Sequence, residues 1–174
     1  VSPIDTNILY IGTKSGGFWK SIDGGNSWIG TTDFLYPTGV NTIAVSPTNS
    51  DSVLINLNNS KNQYSHGIYR SVDGGDSWVM TNFNPLVLGL GGLGSSFRIQ
   101  KIAYHPTVSN LVFILTTNGL YRSDDNLQSW TIISSIISSS FPNWSFDFDF
   151  HPTNPNIIYA NALNPNRLFI SNDM

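Results

Sequence analysis

An eight-residue phrase occurs twice in the chain and a third time in an altered form. SIDGGNSW occupies residues 21–28, SVDGGDSW occupies 71–78 and SDDNLQSW occupies 123–130, so the copies lie about 50 residues apart. A repeat of fixed length restricts the fold strongly, because each copy must form the same supersecondary unit and bury its apolar surface against its neighbours. The chain is therefore predicted to be an array of similar units.

Other segments recur in step with this phrase. Turns containing proline (VSP, AVSP, AYHP and DFHP) precede apolar runs such as NLVFILT, and segments such as GFWKS or GLYRS then lead into the phrase. The runs are short, rich in Ile, Val, Tyr and Phe, and bounded by Gly, Pro, Asn, Ser and Asp, which is typical of strands joined by tight turns. The run LVFIL at 111–115 is apolar throughout, which indicates a strand covered on both faces.

Each unit is predicted to contain four antiparallel strands, and in the second unit these fall near 41–46, 52–58, 67–71 and 77–82. Four-stranded units packed face to face around an axis are the blades of a β-propeller. The predicted fold is therefore all-β, with about three and a half blades of one propeller domain. The repeat units are 1–37, 38–97, 98–143 and 144–174. Because both ends interrupt a unit, we expect a fragment of a longer propeller; the alternative is a short chain that closes by self-association.

The repeated phrase is predicted to form the turn between the third and fourth strands. Its glycines allow positive φ, its aspartate accepts hydrogen bonds from turn N–H groups, and its tryptophan buries a large surface. The residues assigned this structural role are Ser21, Asp23, Gly24, Gly25, Trp28, Ser71, Asp73, Gly74, Gly75, Trp78, Ser123, Asp125 and Trp130. In the third copy Asn126 and Leu127 replace the glycines, and because Leu disfavours left-handed φ we expect a different turn there.

The pattern S-x-D-G-G-x-x-W, with IAVSPTNSDSVLI upstream of the second copy, resembles the Asp-box repeat of the BNR type. Such repeats occur in sialidases, xyloglucanase-like glycoside hydrolases, sortilin-type receptors and photosystem II assembly factors. The resemblance covers nearly the whole chain and implies a β-propeller in which the Asp box is a structural device. It does not imply one function.

Composition excludes several classes of function. The net charge is −3 with no basic run, so nucleic acid is not an expected partner. There is no Cys, which removes disulfides and thiolate chemistry, and no apolar run long enough to span a membrane. All 11 acidic residues are Asp, so the Glu base that the resemblance implies for a sialidase is missing from this segment. No cofactor is expected, and the low charge favours an extracellular or cell-surface protein.

In an up-and-down sheet, successive connections between strands alternate between two faces of the propeller, and we call this strand parity. It places the long, variable insertions at 58–67, 83–97 and 134–143 on the face opposite the Asp boxes. Variable loops on a rigid scaffold are where binding residues concentrate, although they can also be plain solvated loops. The candidate ligand-binding residues on this face are Tyr64, His66, Phe97, Arg98, Phe141 and Trp144.

The stretch FDFDF at 146–150 places Asp147 and Asp149 on the same side of one strand. A pair of carboxylates is what a glycosidase uses, so both are candidate catalytic residues; the alternative is a buried aspartate bonded to a neighbouring blade. The resemblance to xyloglucanases implies a catalytic Asp in a T-D-x-G-G-x-Y-R stretch. Here Lys14 and Asn118 stand at the matching positions, which weighs against that activity in this segment.

Two further sets of residues recur in register. His105 and His151 occupy equivalent HP turns, where we expect turn caps and no metal site. Lys20, Arg70 and Arg122 precede the Asp boxes, where recurrence favours a structural role over a carboxylate clamp.

The sequence as a whole indicates a non-catalytic binding or interaction module with a glycan or protein ligand, completed by further blades or by self-association. The alternative is part of a glycoside hydrolase whose catalytic residues lie partly outside this segment. A third interpretation is an assembly or scaffold factor.

Overall fold

The computed structural model describes residues 1–90, 96–134, 147–163 and 166–172. These residues form short β-strands and contain no helix, and therefore none long and apolar enough to cross a membrane. All strand pairs are antiparallel and belong to four separate sheets. The sheets contain three, four, four and three strands in chain order, as the sequence pattern predicts.

Each sheet is an up-and-down meander of consecutive strands. The first consists of β1 (Leu9–Gly12), β2 (Phe18–Ser21) and β3 (Ile29–Gly30). The second consists of β4 (Gly39–Val45), β5 (Val53–Asn58), β6 (Ser65–Ser71) and β7 (Val79–Met80). The third consists of β8 (Ile99–Tyr104), β9 (Val112–Thr116), β10 (Gly119–Ser123) and β11 (Thr131–Ser134). The fourth consists of β12 (Asp147–Phe150), β13 (Ile158–Leu163) and β14 (Asn166–Ser171).

The last strand of the second sheet is shorter than expected, because the ladder ends at Met80. The chain nevertheless continues beside β6. Ile68 O accepts hydrogen bonds from both the N–H and the hydroxyl of Thr81 (2.9 Å each), and Ile68 N–H donates to Phe83 O (3.1 Å). Backbone pairing with β6 therefore continues irregularly past Met80, and the Thr81 hydroxyl adds a further bond.

Each pair of consecutive sheets encloses its own apolar core. On β5, Val53, Ile55 and Leu57 belong to the core that contains Phe18 of the first sheet. Leu54 lies on the other face of β5, in the core shared with the third sheet. The same alternation occurs on β9, which explains why the central strands are apolar on both faces.

The two sets of connections lie on opposite faces of this stack. The repeated phrases connect β2 to β3, β6 to β7 and β10 to β11. Each donates an N–H to an earlier turn of its own sheet, the turn that precedes β1, β5 or β9. These bonds join Gly24 to Asn7, Gly74 to Asp51 and Asn126 to Asn110. We call this side the box face. The opposite side, which carries residues 31–38, 59–64 and 96–98, is called the loop face.

Candidate functional site

The repeated turns on the box face are held by a small network of hydrogen bonds. In the first copy the Ser21 hydroxyl donates to Asp23 Oδ1 (2.8 Å) and accepts from Gly25 N–H (2.9 Å). Asp23 also accepts from the N–H of Ser27 (2.9 Å) and from its hydroxyl (2.6 Å). These bonds, led by those from Ser27, lower the pKa of Asp23 to about 2. Both oxygens of this carboxylate are therefore used within the turn.

The second and third copies repeat this arrangement. Hydrogen bonds from the Ser71 and Ser77 hydroxyls lower the pKa of Asp73 to about 2. Asp125 accepts from the hydroxyl and N–H of Ser129, which lowers its pKa in the same way. The network supports the structural role assigned to the phrase.

The expectation of a different turn in the third copy is wrong. Asn126 and Leu127 adopt φ values of 56° and 68°, in the left-handed region that Gly74 and Gly75 occupy in the second copy. The same bond closes the turn, since Leu127 N–H donates to the Ser123 hydroxyl (2.8 Å). Left-handed φ costs a non-glycine residue about 1–2 kcal/mol. The buried Leu127 side chain, only 1% exposed, offsets that cost through packing.

Two of the basic residues that precede the boxes form ion pairs on the box face. Lys20 Nζ lies 2.9 Å from Asp76 of the next sheet's box, and Arg122 lies 2.8 Å from Asp124 of its own box. These contacts support a structural role for Lys20 and Arg122.

On the loop face, Tyr64 and Arg98 form one cluster. The Arg98 guanidinium carbon lies 4.9 Å from the centre of the Tyr64 ring, and Arg98 Nε donates to Asn62 O (3.0 Å). The backbone of Arg98 is fixed against Thr117, whose hydroxyl accepts its N–H (3.2 Å). The structure thus brings together two predicted binding residues, one from the β5–β6 connection and one from the segment before β8.

A second aromatic pair lies on the same face. The rings of Tyr36 and His66 meet edge to face with centroids 6.1 Å apart. Tyr36 is 79% exposed, whereas His66 is half-buried, and burial lowers the pKa of its imidazole. His66 and Tyr64 are close neighbours along the chain, so both aromatic pairs are attached to the β5–β6 hairpin.

Phe97 does not belong to this exposed surface. Its side chain is 3% exposed and lies in the core between the second and third sheets, beside Phe83. Phe97 O accepts from Ser65 N–H (2.8 Å), which anchors the segment before β8 and directs the ring inward. The prediction that Phe97 offers an exposed binding ring is therefore wrong. Phe141 and Trp144 lie outside the described residues.

Asp147 and Asp149 share one cation. Lys101 Nζ lies 2.9 Å from an oxygen of each carboxylate and also donates to Phe148 O (2.5 Å). Burial lowers the pKa of Lys101, but its bonds to Asp149 and Asp147 outweigh this effect and the pKa is raised overall. The side chains of Asp147 and Asp149 are 61% and 78% exposed, so the expectation of a buried aspartate is wrong. The expected bond from an aspartate to a neighbouring sheet is observed, because both carboxylates contact Lys101 of the third sheet.

The register of the repeat explains this contact. Thr42, Lys101 and Asp147 occupy equivalent positions on the first strands of successive sheets. Thr42 accepts from Ile102 N–H of the third sheet (3.2 Å), and Lys101 in turn reaches the fourth sheet. This position therefore joins one sheet to the next.

The histidines cap turns, as expected. His105 Nδ1 accepts from Thr107 N–H (3.2 Å), and His151 Nδ1 accepts from the N–H groups of Thr153 (3.2 Å) and Asn154 (3.1 Å). Among the described residues, no group of three or more metal-ligating side chains comes together.

Sequence reasoning missed Tyr36 and Asn62 on the loop face. Tyr36 lies in a connection shorter than the insertions that drew attention, and Asn62 contributes only its backbone oxygen. The sequence signal that could have identified Tyr36 is its position directly before a proline-containing turn, in YPTG at 36–39.

No protein-family model matches the chain. In sequence it is similar to a probable oligoxyloglucan-reducing end-specific xyloglucanase of Neosartorya fischeri, with 25% identity over 181 residues. The match covers 98% of this chain and 22% of that protein.

In structure the chain is similar to an ancestral GH74 enzyme, with a TM-score of 0.69 at 19% identity, over 98% of this chain and 23% of that one. It is also similar to YCF48 bound to a D1 peptide, with a TM-score of 0.60 at 17% identity, over 91% of this chain and 44% of that one. The predicted β-propeller fold is thereby confirmed, and the chain spans about a quarter of the length of the xyloglucanase and GH74 relatives.

Proposed function

We propose that this chain is part of an Asp-box propeller that acts outside the cell or at its surface as a non-catalytic glycan-binding module, with xyloglucan as ligand. The observation that carries the proposal is the aromatic cluster on the loop face, where Tyr64 lies against Arg98. The sequence similarity to a probable xyloglucanase supports the choice of glycan.

The cluster has the chemistry that a sugar requires. An aromatic ring presents an apolar face to the C–H side of a pyranose, and a guanidinium donates hydrogen bonds to hydroxyl groups. Arg98 is already fixed by Tyr64 and by Asn62 O, so little side-chain entropy is lost when a ligand binds. The exposed ring of Tyr36 extends the surface beside His66.

Isothermal titration of the chain with xyloglucan oligosaccharides tests this proposal. We expect Tyr64→Ala and Arg98→Ala each to weaken binding about tenfold, since truncating a contact at the centre of a binding surface costs about 1–2 kcal/mol. Tyr64→Phe keeps the ring and should bind nearly as wild type does. Arg122→Ala, which removes an arginine from the box face, is the matched control.

Mannan oligosaccharides serve as a comparison ligand and should bind more weakly than xyloglucan. The proposal fails if the folded chain does not bind xyloglucan, or if Arg98→Ala and Arg122→Ala have equal effects.

A second candidate function is glycoside hydrolysis, favoured by the two exposed carboxylates of β12. Asp147 and Asp149 border a shallow cavity of about 190 Å³, together with Tyr159 and Asn161. One carboxyl group would act as acid and the other as base or nucleophile. The ammonium of Lys101 between them instead suits a structural contact.

Release of reducing ends from xyloglucan decides between these functions. If the chain is an enzyme, Asp149→Asn abolishes hydrolysis while binding persists, and Asp124→Asn on the box face has no effect. If the wild-type chain binds xyloglucan but releases no reducing ends, hydrolysis by this segment is excluded and the binding function stands.

A further inference from the structure

The first two junctions between sheets are built from equivalent residues but are closed differently. At the junction of the first and second sheets, Lys20 on β2 reaches across to Asp76 of the second box (2.9 Å). The Thr31 hydroxyl adds a bridge, because it donates to Gly75 O (2.5 Å) and accepts from Trp78 Nε1 (3.0 Å). The second box is therefore fastened to the first sheet.

At the next junction Arg70 takes the place of Lys20, and Gln128 takes the place of Asp76. The third box thus supplies no carboxylate at this position. Thr81, the counterpart of Thr31, donates to Ile68 O within its own sheet instead of bridging to the box (2.9 Å). Within the described residues, Arg70 Nε and Asn126 Oδ1 are buried without a hydrogen-bond partner. A buried donor and a buried acceptor are therefore left unsatisfied, which is costly in a folded protein.

Arg70 and Asn126 line an open groove of about 310 Å³ between β7 and the third box. The rim of the groove is aliphatic, since Val72 and Val79 are 66% and 72% exposed and Met80 also faces it. None of the described residues that line it is aromatic. Among the described strands β7 is the last of its sheet, so no described strand lies beside one edge of its backbone.

We propose that this groove binds an acidic peptide segment, with a carboxylate on Arg70 where the Asp76 carboxylate lies on Lys20 at the preceding junction. The guanidinium supplies the complementary charge for a carboxylate. The aliphatic rim fits the side chains beside it better than it fits a sugar, which would need an aromatic face. Asn126 also lines the groove, and the edge of β7 that no described strand covers offers backbone pairing to the peptide. The groove is separate from the loop face, so this inference does not depend on glycan binding.

The direct test follows the Nε–H resonance of Arg70 by ¹H–¹⁵N NMR in the full chain. The probes are the capped peptide TVDVT, the matched capped peptide TVNVT and sodium acetate, each at millimolar concentrations. We expect TVDVT to shift the Arg70 resonance in a saturable way and to bind about tenfold more tightly than TVNVT or acetate. Equal effects of TVDVT and TVNVT, equal binding of acetate, or no shift with TVDVT would overturn the proposal.

A carboxylate supplied within the chain should compete with the peptide. Gln128→Asp restores at the second junction the pairing that Asp76 and Lys20 make at the first. This variant should raise the melting temperature and abolish TVDVT binding, whereas Gln128→Asn, which adds no charge, should leave both unchanged. Undiminished binding of TVDVT by Gln128→Asp would show that the carboxylate does not bind at Arg70.

Discussion

Leu127 adopts a backbone conformation that its own side chain disfavours. In the second box the equivalent residue is Gly75, where an added Cβ would lie 2.8 Å from the Phe18 ring. At the next junction Ile68 takes the place of Phe18, and Leu127 takes the place of Gly75; both lie in one buried cluster. A smaller residue on the strand is thus matched by a larger one on the box, so that the space between the sheets stays filled.

We predict that Leu127→Gly lowers the free energy of unfolding by about 1–3 kcal/mol. Loss of a buried Leu costs about 2–5 kcal/mol, and relief of left-handed φ returns about 1–2 kcal/mol. Urea denaturation measures the difference. Adding Ile68→Phe to Leu127→Gly restores the pairing found at the first junction and should recover part of the loss. If Leu127→Gly is instead more stable than wild type, backbone strain outweighs packing and our account of this turn is wrong.

Leu127 and Phe97 also show where sequence reasoning stops. Local preference predicted another turn at Leu127, but a contact with a distant strand decides its conformation. Phe97 was assigned to the surface because it ends a variable insertion, yet its ring is drawn into the core beside Phe83. Both outcomes depend on contacts between sheets, which a single sequence does not reveal.

At the scale of elements, the prediction from sequence is more successful. The strands and their order follow from short apolar runs bounded by turn residues, and both signals are local. The candidate site was only partly predictable. Strand parity placed Tyr64 and Arg98 on one face, but their direct contact depends on how the second and third sheets pack.

The hydrogen-bonded aspartate of each repeated turn predicts a particular dependence of stability on pH. The folded pKa of Asp23 and of Asp73 is about 2, and that of Asp125 is also lowered. The unfolded carboxyl group titrates near pH 3.9, at about its ordinary pKa. A lowered folded pKa stabilises the protein above the unfolded pKa, and this contribution is lost as pH falls toward the folded pKa.

We therefore expect the melting temperature to fall between about pH 4 and pH 2 as these carboxylates become protonated. Thermal unfolding followed by circular dichroism over this range measures the effect. A variant with Asp23→Asn, Asp73→Asn and Asp125→Asn should be less stable at pH 6 and show a shallower fall. An equally steep fall in that variant would assign the acid sensitivity to other groups.

Single box and loop variants should separate stability from binding. Asp73→Ala removes the acceptor of the Ser77 hydroxyl and N–H. It should cost about 1 kcal/mol, which lowers the melting temperature by roughly 2–4 °C in a chain of this size. Xyloglucan affinity, measured below the melting transition, should be unchanged. Tyr64→Ala should instead weaken xyloglucan binding and leave the melting temperature unchanged. If Asp73→Ala loses affinity with its stability intact, the two faces have been assigned the wrong roles.

At the scale of the whole molecule, the first and last sheets each have an outward face without a described sheet packed against it. On these outward faces, Ile11 of the first sheet is 44% exposed, and Leu168 and Ile170 of the last sheet are 66% and 54% exposed. The inner faces of the same sheets pack closely against their neighbours. In a propeller every blade lies between two others, so these outward faces have the character of blade interfaces.

We predict that the chain of residues 1–174 self-associates unless further blades cover these faces, because exposed apolar surfaces and strand edges both favour association. Multi-angle light scattering over a concentration series should show a mass that rises above that of one chain.

Replacing Leu168 and Ile170 together by Lys should shift the mass toward the monomer, since it places charge in the centre of the last sheet's outward face. Ile22→Lys adds charge at a similarly exposed residue on the box face, 63% exposed, and should leave association unchanged. A wild-type chain that stays monomeric at high concentration would show that these sheets need no partner. If Ile22→Lys reduces association as much as the double replacement of Leu168 and Ile170 does, then net charge, rather than the outward face of the last sheet, controls association.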